Sequence, residues 1–182
     1  MFKKVNILDE KDKHLRMKNS DVTFPLSKQD KELLNNMLEH LHKSQIEKYA
    51  KKYDLRPGMG LAGPQVGVNK KFFVICHEEY ENTFRNYIVI NPKIISTSEE
   101  MIYADGGEGC LSINREVEGI VGRHARITVE YYNEEGKLIK TRAREELAIA
   151  FQHEIDHLNG ILFIDRINKK DPYYNMENMR AI

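Results

Sequence analysis

The chain has 182 residues, of which 41% are hydrophobic and 31% are charged, as is usual for one globular domain. Its 28 basic and 28 acidic residues give a formal net charge of zero, which disfavours direct, specific nucleic-acid recognition. No apolar run approaches the roughly 18 residues of a membrane span and no signal peptide opens the sequence, so we expect a cytoplasmic protein without a membrane partner.

The N-terminal half predicts one helix followed by a glycine-rich loop. The helix begins near Ser27, a residue suited to cap it, and apolar residues recur at helical spacing from Leu33 to Leu41. It should end before Pro57, because proline cannot continue a helix. Residues 58–67 contain four glycines and a proline, which favours a loop over regular structure.

Short strand-like segments fill the middle of the chain. Most are rich in β-branched or aromatic residues and end at a turn signal, such as Pro92 after the second segment. Residues 133–136 predict a hairpin turn between the last two. The segments are 71–76, 86–90, 99–105, 116–123, 126–132 and 137–143.

The last strong element is a helix from about Arg144 to Asn159, with Gly160 just beyond its C-cap. Residues 161–167 are typical of a short buried strand, and the polar tail from Asn168 is typical of a poorly ordered terminus. This order of helix, antiparallel strands and helix predicts an α+β fold with one N-terminal helix, in a single catalytic domain over residues 1–182.

The final helix contains the pattern His153, Glu154 and His157. Histidines at positions i and i+4 project from one face, so both rings can reach one ion. Glu154 lies about 100° around the helix from His153, where it can touch a water molecule rather than the ion. A solvated helix face is the alternative. This pattern, however, interrupts an apolar helix, where charged residues without a structural or functional role are unusual.

Two histidines leave at least one protein ligand to identify. Metallopeptidases with the longer HExxHxxGxxH pattern are excluded, because Phe163 occupies the position of the third histidine. A zinc peptidase of another class would use Glu177 downstream. Upstream, Cys110 follows a glycine-rich turn, and its thiolate suits a borderline-soft ion. A structural, non-enzymatic zinc site that also includes Cys76 is a further alternative. Cys76, however, ends an apolar strand, which is typical of a buried cysteine that only packs in the hydrophobic core.

Three segments together resemble the peptide deformylase family. They are GMGLAGPQ at 58–65, EGCLS at 108–112 and QHEIDH at 152–157. The resemblance covers nearly the whole chain, and the stretch before the first segment resembles the longer subclass of Gram-positive bacteria. Gly63 stands where the family usually has alanine or serine, so we expect a looser loop around Gln65.

The resemblance implies a metal site and a reaction. The ligands would be Cys110, His153 and His157, with water in a fourth position, and mixed, mostly antiparallel sheets would wrap around the HExxH helix. The ion would be one divalent metal, Fe²⁺ in the native protein, with Zn²⁺, Ni²⁺ or Co²⁺ as substitutes. The reaction would be removal of the formyl group from the N-terminal formyl-methionine of nascent peptides in bacteria, with the ribosome as a further partner and a monomer as the working form.

The resemblance also implies individual catalytic roles. Glu154 would be the general acid and base, while the Gln65 side-chain amide and the Leu111 N–H would stabilise the oxyanion. Gly60 and Gly109 would offer backbone groups to the extended substrate.

Supporting residues are assigned around this centre. Asp156, on the other flank of His153, would support the site by pairing with Arg123, and a plain surface carboxylate is the alternative. Ile149 and Ala150 are candidates for the wall of the methionine pocket.

Overall fold

Five strands form one sheet and three form another in the computed structural model, which describes residues 2–81 and 83–182. The strands are β1 (Gly60–Ala62), β2 (Phe72–Tyr80), β3 (Thr83–Thr97), β4 (Met101–Tyr103), β5 (Arg123–His124), β6 (Arg126–Tyr132), β7 (Leu138–Arg144) and β8 (Arg180–Ala181). The larger sheet has the antiparallel order β1-β2-β3-β6-β7, and the smaller has the order β5-β4-β8 with β4 and β8 parallel. The prediction of an α+β fold with mixed, mostly antiparallel sheets is confirmed.

The helices differ in one respect from the prediction. The side chain of Ser27 caps the first helix by accepting a hydrogen bond from the Asp30 N–H at 3.0 Å, as its sequence predicts. Two N-terminal helices are present instead of one, because the backbone is extended at Ile46 and interrupts the helix there. The helices are α1 (Lys28–Gln45), α2 (Glu47–Tyr53), α3 (Glu145–Leu158) and α4 (Phe163–Arg166).

Two strand predictions differ most from the observed extent. β3 does not end at Pro92 but continues to Thr97, and its pairing with β6 shifts register between Ile90 and Lys93, where the proline has no N–H to donate. The predicted strand at 116–123 is mostly irregular, since within it only Arg123 belongs to a strand, β5.

The segments that follow α3 also differ from the prediction. Residues 163–166 form the helical turn α4 rather than a strand, and Asp165 caps it by accepting from the Leu162 N–H at 2.8 Å. The polar tail after Asn168 does not lie free, because β8 pairs with β4. No described helix is both long and apolar enough to cross a membrane.

The position of α3 depends on its apolar face. Phe151 is fully buried and meets Phe73 and Tyr87 of the large sheet edge-to-face, with ring centroids 5.6 and 5.5 Å apart. The end of α3 is fixed by Asn19, whose amide donates to the Leu158 carbonyl at 2.8 Å. Gly160 has φ +71°, the left-handed conformation expected just beyond the C-cap. The helix is thus held on one face and at its end, while its other face carries the polar residues of the site.

Candidate metal centre

Three side chains converge where α3 faces the loop after β4. The Cys110 sulfur and one ring nitrogen each from His153 and His157 lie within 4.8 Å of one another. The sulfur is 3.3 Å from Nε2 of His157. A tetrahedral ion would separate sulfur and nitrogen ligands by about 3.5 Å, given its usual bond lengths. The donor set therefore fits one borderline-soft divalent ion.

A buried carboxylate, Glu108, orients one of these imidazoles. It accepts a hydrogen bond from His153 Nδ1 at 2.7 Å and two from Arg123 at 2.7 and 3.0 Å. A proton on Nδ1 leaves the Nε2 lone pair of His153 free for an ion. Burial by itself would raise the pKa of Glu108, but the bonds from His153 and Arg123 hold it at about 2. Glu108 lies in the EGCLS segment, yet the sequence did not identify its role.

The expected pairing of Asp156 with Arg123 occurs in the structure. Arg123 Nη1 donates to Asp156 Oδ2 at 2.6 Å, and Arg166 also binds this carboxylate. Arg123 and Asp156 are only 3% and 5% exposed, so Asp156 is not a plain surface carboxylate. A continuous ionic chain thus runs from Asp156 through Arg123 and Glu108 to His153.

Burial tends to lower the pKa of both imidazoles, but the net shifts have opposite directions. It lowers the pKa of His157 well below its ordinary value, which favours the neutral ring that a metal ion requires. At His153 the bonds to Cys110 and Glu108 outweigh burial and raise the pKa well above its ordinary value. A raised pKa means that the ring holds a second proton more tightly. An ion at the site would compete with this proton for Nε2 of His153.

Glu154 places a carboxylate beside the three candidate ligands. The side chain is buried, and among residues 2–81 and 83–182 no hydrogen-bond partner reaches its Oε2. Burial raises its pKa to about 7, and a nearby cation would lower it again by favouring the charged form. A Cβ on Gly60 would overlap the Glu154 carboxylate, so this close approach requires glycine. The Glu154 side chain also contributes to the lining of the adjacent cleft.

Gln65 is held rigidly against the thiol. Its Oε1 accepts from the Ala62 N–H at 2.9 Å, and its Nε2 lies 3.1 Å from Ser112 Oγ and 3.5 Å from Cys110 Sγ. The loosening expected from Gly63 stays a prediction. A Cβ there would lie 2.8 Å from the Val68 carbonyl oxygen, so the packing around this glycine leaves no room for a side chain.

A cleft of about 790 Å³ opens above these groups. Strand β1 lies at the edge of the large sheet beside it, so no strand in the described part of the chain pairs with one side of its backbone. His157, Arg123 and Asp156 lie behind the cleft rather than in its wall. Its lining includes nine of the residues singled out in the sequence: Gly60, Gln65, Gly109, Cys110, Leu111, Ile149, Ala150, His153 and Glu154.

The side chains required by the alternative metal sites lie elsewhere. Glu177 is exposed in the 3₁₀ turn Met176–Asn178 and is not part of the ligand cluster. Cys76 is fully buried in β2 within a different core cluster, and burial raises the pKa of its thiol to about 11. Neither the peptidase site nor the four-ligand structural site is assembled by the described residues.

The sequence matches the Polypeptide deformylase family over residues 4–173. It is 48% identical over 161 residues to the peptide deformylase of Oceanobacillus iheyensis, covering 88% of each chain. It is also 48% identical over 169 residues to that of Halalkalibacterium halodurans, covering 92% of this chain and 93% of the relative.

Solved structures of similar proteins have the same fold. The crystal structure of peptide deformylase from Thermotoga maritima aligns with a TM-score of 0.72 at 34% identity, covering 91% of this chain and 99% of the other. A peptide deformylase from Acinetobacter baumannii with bound Met-Ala-Ser aligns with a TM-score of 0.71 at 26% identity, covering 92% and 100%.

Proposed function

The chain belongs to the polypeptide deformylase family, and on that premise we propose that it removes the formyl group from the N-terminal formyl-methionine of newly made polypeptides. Formate and a free N-terminus are the products. One observation carries the proposal: the Cys110 sulfur and two imidazoles converge beside the buried carboxylate of Glu154 at an open cleft. Its curated relatives in Gram-positive bacteria support membership of the longer subclass.

Cys110, His153 and His157 would hold one divalent ion. Three protein ligands with an open position are typical of catalytic sites, whereas four are typical of structural ones. When bound, the ion would supply Lewis-acid chemistry and make water acidic enough to react near neutral pH. We assign Fe²⁺ as the native ion, with Zn²⁺, Ni²⁺ or Co²⁺ as substitutes, since the same ligands accept all four.

Glu154 moves the protons of the reaction. Its carboxylate accepts a proton from the water that attacks the formyl carbon and then gives this proton to the departing amine. Two neutral donors face the formyl oxygen as it becomes negative, namely Nε2 of Gln65 and the N–H of Leu111. Hydrogen bonds with the Ala62 N–H and with Ser112 Oγ hold the Gln65 amide in place beside Cys110.

The substrate binds as an extra strand beside β1. Gly60 on this sheet edge and Gly109 on the opposite side offer backbone groups to an extended peptide. Ile149 and Ala150 precede His153 by about one helical turn and give the cleft an apolar wall suited to the methionine side chain. The crystal structure of the Acinetobacter baumannii relative with bound Met-Ala-Ser supports a short peptide as the ligand of this chain.

The working form is a single catalytic domain over residues 1–182, acting as a monomer in the bacterial cytoplasm. Its substrates are nascent chains, so it acts close to the ribosome. Size-exclusion chromatography with light scattering tests the monomer, and co-sedimentation with ribosomes tests the association.

Formate release from formyl-Met-Ala-Ser by anaerobically prepared protein tests the proposed function. We expect turnover by the wild type, a loss of several orders of magnitude in Glu154→Ala, and bound metal in both. Cys110→Ser should bind metal more weakly or lose it, while Cys76→Ala should keep both metal and activity. Absence of formate from fully metallated wild type would overturn the proposal.

A further inference from the structure

Arg56 connects the two sides of the cleft. It precedes the 58–60 segment on one side, and its guanidinium donates to three acceptors on the loop opposite. Nη2 donates to the Cys110 carbonyl at 2.5 Å. Nη1 donates to the Ile113 carbonyl at 3.1 Å and to Asn114 Oδ1 at 2.6 Å. A planar guanidinium fork that binds three acceptors fixes the loop more strictly than a single point charge would.

The carbonyl bound by Arg56 belongs to the same peptide unit as the Leu111 N–H. That unit is planar, and among the described residues the one cis bond is Phe24-Pro25, so here C=O and N–H point in opposite directions and turn together. The Leu111 N–H has no acceptor within residues 2–81 and 83–182, and Leu111 lines the cleft. The Cys110 carbonyl also accepts from the Ile113 N–H at 3.1 Å, so this turn bond and the shorter bond from Arg56 together fix the direction of the free donor.

We propose that Arg56 is a positioning residue that aims and strengthens the Leu111 N–H as an oxyanion donor, an inference that rests on the proposed function. The positive guanidinium draws electron density from the Cys110 carbonyl, which polarises the peptide unit and makes its N–H a better donor. Arg56 thus acts on the reaction through the backbone and without touching the formyl group.

Kinetics of metal-loaded Arg56→Ala test this role. We expect kcat to fall about tenfold to a hundredfold, less than the ~10²–10³ typical when an oxyanion donor is removed outright. KM should stay within about threefold, because removal of an interaction made in the transition state acts on kcat. The kcat of Arg56→Lys, which keeps the positive charge without the planar guanidinium, should lie between those of the wild type and Arg56→Ala. Added methylguanidinium should restore part of the activity of Arg56→Ala.

Two readouts separate positioning from simple loss of structure. Zinc content should remain one per chain, and the ¹⁵N–¹H resonance of Leu111 in the zinc protein should move upfield in Arg56→Ala, as expected for a less polarised amide. Arg115→Ala is a matched control, since Arg115 lies on the same loop but donates to Glu10 rather than to the Cys110 peptide unit.

Several outcomes would overturn the proposed role of Arg56 and leave the proposed function intact. They are an unchanged kcat, an unchanged Leu111 resonance, an activity loss that follows metal loss, and a higher KM at unchanged kcat, which would make Arg56 a substrate contact. Inactive wild-type protein would instead overturn the proposed function.

Discussion

Neutralising Glu108 by substitution with glutamine should weaken metal binding and stability together. Glu108 accepts three hydrogen bonds on two oxygens: Oε1 accepts one from Arg123, and Oε2 accepts a second from Arg123 and one from His153 Nδ1. A glutamine NH₂ at either position faces at least one donor, so at least one buried N–H loses its acceptor. Arg123 then keeps Asp156 as its remaining carboxylate partner.

The magnitudes follow from these contacts. One unsatisfied buried donor costs about 1–3 kcal/mol, and loss of one charge of a buried ion pair adds to this. We therefore expect the free energy of unfolding of the metal-free protein to fall by roughly 2–4 kcal/mol. The imidazole of His153 also loses the group that orients it, which lowers metal affinity by about 10–100-fold.

Urea unfolding of the metal-free protein and zinc titration against a competing chelator measure both effects. Glu100→Gln is the matched control. Glu100 also pairs with two arginines, Arg126 and Arg180, but in an exposed place, so neither measurement should change detectably. The reasoning is refuted if Glu108→Gln binds zinc within about twofold of the wild type and unfolds at the same urea concentration.

Three further predictions concern other parts of the structure. Gly60→Ala should lower kcat far more than Gly109→Ala in formate-release assays, because a Cβ at Gly60 would overlap the Glu154 carboxylate whereas one at Gly109 meets nothing within 4 Å; equal effects would contradict this. Phe151→Ala should destabilise the protein by about 3–5 kcal/mol in urea titrations, since it removes the aromatic centre of the main core, and a loss below about 1 kcal/mol would be inconsistent with that packing. Burial would raise the pKa of Asp30, but hydrogen bonds from Lys70 and Ser27 lower it below 3.8, so its stabilising contribution exists above that pH and is lost as pH falls further. The difference in unfolding free energy between wild type and Asp30→Asn should therefore shrink on acidification, and a constant difference from pH 7 to pH 2 would count against it.

Local chemistry made several elements predictable. Ser27 caps α1 through its own side chain, and Gly160 follows α3 in the left-handed conformation that glycine adopts without strain. The i, i+4 spacing places His153 and His157 on one face of an amphipathic helix, with ring centroids 5.0 Å apart. In each case the determining contacts lie within a few residues along the chain.

Features set by distant contacts were not predictable in the same way. The segment 161–167 has the composition of a strand, but Asp165 caps a helical turn there and also pairs with Arg16, far away in sequence. The end of the tail forms β8 and pairs with β4, which its polar composition does not indicate. Glu108 acquires its role from Arg123 and His153, which are 15 and 45 residues away.

X-ray absorption at the zinc edge of the zinc-loaded protein tests the central claim most directly. The arrangement of Cys110, His153 and His157 predicts one sulfur at about 2.3 Å, two imidazole nitrogens at about 2.0–2.1 Å and one further light atom from solvent. The sulfur signal should disappear in Cys110→Ser and persist in Cys76→Ala. A spectrum with no sulfur bound to zinc, or with two, would contradict the proposed centre.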